Sequence, residues 1–191
     1  MTVAFRPALP GDARDIARLF QISSEGGADY IWSLLAEPGE DLLDVGTRRY
    51  ARAGVNFSYE NCWIAESAGE VVGMMHSYPM LYDPDPAPVT DKVLAPYAGL
   101  EIPDTLYISS LALHEGWRSR GLGAQFLAHA RQRRETLGLK ELSLIDYASN
   151  TGARRFYERH GFRIVGQCQI VPHPMIRTTG AAYLMHWTPD A

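Results

Sequence analysis

From residue 111 to residue 124 the chain reads Leu-Ala-Leu-His-Glu-Gly-Trp-Arg-Ser-Arg-Gly-Leu-Gly-Ala, a run whose residue types and spacing could do chemistry. An apolar strand (Leu111, Ala112, Leu113) ends, a polar loop with two arginines follows, and a helix opens on glycines. The first turn of a helix has unpaired backbone N–H groups and carries about half an elementary positive charge. Gly121 and Gly123 present no side chain that would keep a phosphate off the backbone. Arg118 and Arg120 add formal charge, and Ser119, Leu122 and Ala124 complete the loop. The result is an anion cradle. A nucleoside triphosphate would call for a lysine after the glycines, and none is there. A dinucleotide would call for a third glycine, where Phe126 stands. A diphosphate of another kind remains.

The bulk composition narrows the setting. A chain of 191 residues, 46% hydrophobic and 21% charged, is suited to one globular domain. A formal net charge of −4 gives no general attraction to nucleic acid or to an anionic membrane. The two cysteines, Cys62 and Cys168, form no CxxC pair, and the six histidines show no HExxH spacing, so neither a disulfide framework nor a metal is expected. No stretch approaches the ~18 apolar residues of a membrane span. The expected setting is cytoplasmic.

The elements that must position the cradle follow from periodicity. Residues 2–7 alternate and end at Pro7, as a first strand would. Asp12 is placed to cap a helix with Ile16, Leu19 and Phe20 on one stripe. Further helical stretches carry Ile31, Trp32, Leu34 and Leu35, and then residues 40–53. Residues 61–66 and 70–78 form a hairpin across Ser67-Ala68-Gly69. Six prolines punctuate residues 79–104, an insertion with a short helix expected near Asp91 to Tyr97. A strong strand follows at 105–113, a helix at 121–137, a strand at 141–147, a helix capped by Asn150 and stopped at Gly161, and strands at 162–170 and 181–187. This is a single α/β domain over 1–191, with a mixed, mostly antiparallel sheet of six to seven strands flanked by helices.

Arg118-x-x-Gly121-x-Gly123-Ala124 resembles the pyrophosphate loop of the GNAT acetyltransferase superfamily. Asn150-x-x-Ala153-x-x-Phe156-Tyr157-x-x-x-Gly161-Phe162 resembles that family's second signature. The two motifs stand in the family's order, separated by one helix and one strand. The specific part of the resemblance covers about residues 105–166.

The resemblance implies an acetyl-CoA-dependent N-acetyltransferase in which the donor, acetyl-coenzyme A, binds without a metal. Backbone groups of Leu111 to Leu113 would pair with the pantetheine arm as with an added strand. Amides of Arg118 to Ala124 would hold the pyrophosphate, and Asn150 would reach the pantetheine. The strands at 105–113 and 141–147 would splay, with a bulge near Ser109-Ser110 as the expected cause. Tyr157 matches the family's general acid for the leaving thiolate. Glu66 is the candidate base, with His76, Tyr107, Glu101 and Asp104 as alternatives. The acceptor would be a primary amine of a small molecule or peptide, with Trp32 and Tyr82 as candidate pocket residues. An exposed C-terminal strand could support a homodimer. The competing readings are a coenzyme A-binding sensor that has lost the reaction and an unrelated nucleotide-binding domain.

Overall fold

The structure is a computed structural model and describes residues 2–189. Among the described residues seven strands and five α-helices follow one another as β1 (Ala4–Pro7), α1 (Ala13–Ser23), α2 (Gly27–Ser33), α3 (Leu42–Tyr50), β2 (Cys62–Ser67), β3 (Glu70–Met80), β4 (Thr105–Leu113), α4 (Leu122–Thr136), β5 (Glu141–Tyr147), α5 (Thr151–Arg159), β6 (Arg163–Gln169) and β7 (Ala181–Trp187). The strands form one sheet in the order β1-β2-β3-β4-β5-β7-β6. Pairing is antiparallel for β1–β2, β2–β3, β5–β7 and β6–β7, and parallel for β4–β5. The parallel register runs from Thr105↔Glu141 to Ile108↔Leu144, while β4 continues to Leu113 and β5 to Tyr147. The parallel pairing stops short of both strand ends. Burial along β4 alternates without a break from Leu106 to Leu113, so Ser109-Ser110 bears no mark of one inserted residue.

The chain divides into two compact units, one formed by residues up to Ser77 with Ser110–Leu127, the other by Tyr78–Ser109 with the chain from Ala128 onward. In the first unit α1 turns Ile16, Ala17, Leu19 and Phe20 inward onto Trp32, Val45, Tyr50, Ile64 and Met74. Glu25 and Gly26 both have positive φ, which breaks the chain between α1 and α2. Asp41 caps α3 by accepting from the Leu43 N–H at 2.7 Å. The β2–β3 hairpin turns on Ala68 and Gly69, both left-handed, the geometry that matches the twist of the flanking strands. Two expectations change here. Asp12 precedes α1 but makes no side-chain cap to it; its carboxylate accepts instead from the Leu9 N–H at 2.7 Å and from both terminal nitrogens of Arg6. Trp32 is a core residue rather than a pocket wall, because its indole lies where a Cβ on Gly46 would be.

In the second unit the proline-rich insertion is anchored at its far end. The Asp91 carboxylate accepts from the Val93 and Leu94 N–H groups, and a 3-10 turn at Ala95–Gly99 delivers Leu100 into a small core with Ile170, Ala182 and Leu184. Tyr82, in the irregular part, is 68% exposed. The C-terminal strand does not lie at the sheet edge. Strand β7 lies between β5 and β6, so the edge strands are β1 and β6, and the expectation of a homodimer through an exposed last strand loses its basis.

Candidate functional site

The cradle lies in the first unit. After Leu113 a single 3-10 turn at Glu115–Trp117 redirects the chain, and Arg118 returns to an extended conformation before α4 begins at Leu122. Ser119 (φ +58°) and Gly121 (φ +78°) are both left-handed, on either side of Arg120. Two left-handed residues this close turn the chain sharply between the extended Arg118 and the first turn of α4, where helix N–H groups have no intrahelical partner. A serine rarely adopts this conformation, which costs it about 1–2 kcal/mol. The loop is open to solvent from Arg118 to Gly121, while Leu122, Phe126, Leu127 and Ala130 are buried and fix the helix beneath it. Phe126 meets Phe5 edge-on at 4.9 Å.

The two arginines are held differently. Arg118 donates from Nε to the Leu113 carbonyl at 3.2 Å, tying the loop back to the end of β4. Arg120 lies over the Trp117 ring at 5.0 Å. Both stay exposed, so each keeps donors for an incoming anion. Beside them, Gly73 on β3 allows β4 to come close: a Cβ there would lie 2.9 Å from the Ala112 carbonyl and would collide with the Leu113 side chain. Ser110 on the same stretch bonds Ser23 at the end of α1, oxygen to oxygen at 2.6 Å.

The second motif lies in the second unit, and three of its fixed letters have a structural task. Asn150 caps α5, its Oδ1 accepting from the Ala153 N–H at 3.1 Å. Gly161 has φ +87°, and a Cβ on it would lie 3.1 Å from the indole of Trp187. Phe162 plugs the core at 2% exposure, with its N–H on the Tyr157 carbonyl at 3.1 Å. Tyr157 lies between Phe156 and Phe162, with ring centroids 5.2 and 5.6 Å away. Burial, reinforced by the neighbouring Asp146 carboxyl, raises its phenol well above the ordinary value.

Asp146, which carried no signal in the sequence, is the unexpected member of this group. It lies on β5, 4% exposed, and its Oδ2 has no hydrogen-bond partner. Burial pushes its carboxyl up to about 6, against smaller lowering effects from the Tyr147 N–H and Arg154.

The candidate bases fare less well. Glu66 accepts from Arg6 Nε at 2.8 Å, and Arg6 also grips Asp12, so Glu66 belongs to a structural ion-pair network within the first unit. His76 is fully buried, with Nδ1 3.2 Å from the Tyr50 hydroxyl and Nε2 2.9 Å from the Asn56 carbonyl; both ring nitrogens are occupied. Tyr107 is raised well above the ordinary phenol value by burial, which removes it as a base near neutrality. Glu101 and Asp104 are exposed. Among the described residues no group of three or more His, Cys, Asp or Glu side chains could hold a metal ion, and no helix is long and apolar enough to cross a membrane.

Comparison with known proteins agrees with this geometry. The sequence profile of the Acetyltransferase (GNAT) family matches residues 28–162. An uncharacterized N-acetyltransferase, YycN of Bacillus subtilis (strain 168), is 37% identical over 57 residues, which cover 30% of this chain and 36% of that relative's length. Among solved structures, an N-acetyltransferase from Staphylococcus aureus Mu50 superposes with a TM-score of 0.68 at 18% identity, covering 96% of this chain and 99% of that one. A GNAT family acetyltransferase from Elizabethkingia anophelis, solved with acetyl-CoA bound, gives a TM-score of 0.56 at 18% identity over 97% of both chains.

Proposed function

Since the chain belongs to the GNAT acetyltransferase family, we propose that it is an acetyl-CoA-dependent N-acetyltransferase, moving the acetyl group directly onto a primary amine of a small molecule or peptide. The observation that carries this reading is the left-handed pair Ser119 and Gly121 opening α4 beneath two exposed guanidinium groups. The residues present fit a diphosphate: the N–H groups of a helix's first turn, two exposed cations, and Gly123 and Ala124 small enough for close approach, while the Arg118 N–H is already given to the Glu115 carbonyl at 3.2 Å. Leu111, Ala112 and Leu113 would present their backbone to the pantetheine arm.

Acetyl-CoA supplies an activated acetyl thioester. The chain's own part is to hold it, to orient the carbonyl and to manage protons. A neutral amine must attack, and the departing thiolate must be protonated. Tyr157 is the donor in this reading. Burial raises its phenol, and the same exclusion of water raises the basicity of a thiolate formed beside it, so acid and acceptor shift in the same direction. Glu66 is given no catalytic role in this reading, because Arg6 already holds its carboxylate.

Calorimetry with acetyl-CoA and a thiol-release assay against a panel of primary amines test the proposal. Saturable binding with amine-dependent thiol release is expected. An absence of binding heat overturns it, and binding without release under any amine leaves a coenzyme A-binding module.

A further inference from the structure

The two arginines of the loop differ in what engages them. Arg118 donates to the Leu113 carbonyl at the end of β4, whereas the Arg120 guanidinium lies over the Trp117 ring, 5.0 Å from its centroid. Trp117 and Arg120 line a depression of 220 Å³ together with Val3, Leu122 and Gln125, and all five residues belong to the first unit. The depression adjoins the diphosphate loop, because Arg120 stands between the left-handed Ser119 and Gly121 and Leu122 begins α4. Its volume lies below the ~300–1,000 Å³ of pockets that enclose a whole drug-sized ligand, so it has room for one part of a ligand.

The lining tells which part. A half-buried indole with a guanidinium over it is a stacking platform, since arginine planes and aromatic faces attract one another and other π systems. Val3 and Leu122 are aliphatic walls, and the exposed Gln125 carboxamide brings an acceptor and two donors, a set that pairs with the polar edge of adenine. A bare phosphate has no use for the ring or the aliphatic walls, and an alkyl tail has none for the cation and the amide. A planar base uses all of them.

We propose that this depression seats the adenine of the donor against the Trp117–Arg120 pair, and that the enzyme thereby selects a nucleotide-bearing thioester over one carried on phosphopantetheine alone. This rests on the acetyltransferase reading. The base follows the diphosphate by one ribose, and Arg120 belongs to both the loop and the depression, so a ligand held by the first continues into the second.

The test compares the parent protein with W117A and W117F. Calorimetry measures acetyl-CoA affinity, competition measures S-acetyl-4′-phosphopantetheine, which lacks the base, and NMR records NOEs from adenine H2 and H8 in the bound complex. W117A should weaken acetyl-CoA about tenfold and W117F by less than about threefold, with competition by the truncated thioester the same in parent and W117A. Adenine protons should give NOEs to an indole that are missing in W117F. An acetyl-CoA affinity unchanged in W117A, an equal loss for both thioesters, or no NOE between adenine and Trp117 in the parent complex overturns the proposal and leaves the acetyltransferase reading intact. Should W117A fail to fold, W117F and the parent NOEs decide. A parent protein that does not bind acetyl-CoA defeats the acetyltransferase reading itself.

Discussion

Replacing Asp146 by asparagine should make the protein's stability less sensitive to pH, by an amount the structure sets. The carboxyl rises from an ordinary 3.8 to about 6, with burial as the first cause. Ionisation therefore costs more in the folded protein than in the unfolded chain. Between these two values the folded form keeps a proton that the unfolded form has lost, so stability falls as pH rises across the window. Below it both forms are protonated and the penalty is absent; above it the penalty is complete. At about 1.4 kcal/mol for each pH unit of displacement, the loss is about 3 kcal/mol. Asparagine has the same shape and cannot ionise. Urea unfolding of both proteins from about pH 4 to about pH 8 isolates this group, since the other titrations are shared. The advantage of the D146N protein should grow by about 3 kcal/mol across that range, equivalent to roughly 6–12 °C in Tm for a chain of this size. A difference between the two proteins that stays constant with pH would refute the reasoning, because it would mean that Asp146 is solvated or paired in solution.

Four further outcomes follow from the geometry. Tyr157→Phe should lower kcat by about a hundredfold while acetyl-CoA affinity in calorimetry stays within a few-fold, whereas parallel losses would assign the tyrosine to packing. Gly123→Arg should abolish acetyl-CoA binding with circular dichroism unchanged, since the side chain would fill the cradle. Gly46→Ala should lower stability by about 2 kcal/mol or more, because the added methyl meets the buried Trp32 indole; thermal melting measures it. Glu66→Gln should leave kcat within a few-fold and cost about 1 kcal/mol through the loosened grip of Arg6, and a large kcat loss at unchanged stability would restore Glu66 as a base.

Much of this was readable in the chain because local pattern and tertiary role coincide. The apolar runs at 105–113, 141–147 and 181–187 become strands with those bounds, and the fixed letters from Asn150 to Phe162 are a cap, a stop and a core plug. What escaped reading depended on distance or on conformation. Arg6 and Glu66 meet across sixty positions of sequence, so an acid at a strand end looked free when it was already engaged. Ser119 carries no hint that it will adopt a left-handed backbone, a conformation expected of its glycine neighbours instead. Asp146 shares the face of Leu142 and Leu144, both buried, so its charge and not its register made it look like an outward residue. The order of the last two strands was hidden too, because nothing between 170 and 180 announces that β7 will insert beside β5.

The glycine that ends α5 bears on how the chain is made. Gly161 abuts the indole of Trp187, and two arginines of α4, Arg131 and Arg134, each lie 5.0 Å from that ring. The stacked plane is therefore shared by segments that leave the ribosome at different times, and the aromatic centrepiece comes last. Until β7 has emerged and inserted, the turn after Tyr157 lacks the surface it rests on. Synthesis of the signature motif thus precedes its setting, and the nascent chain must carry an unfinished α5 through the intervening two dozen residues.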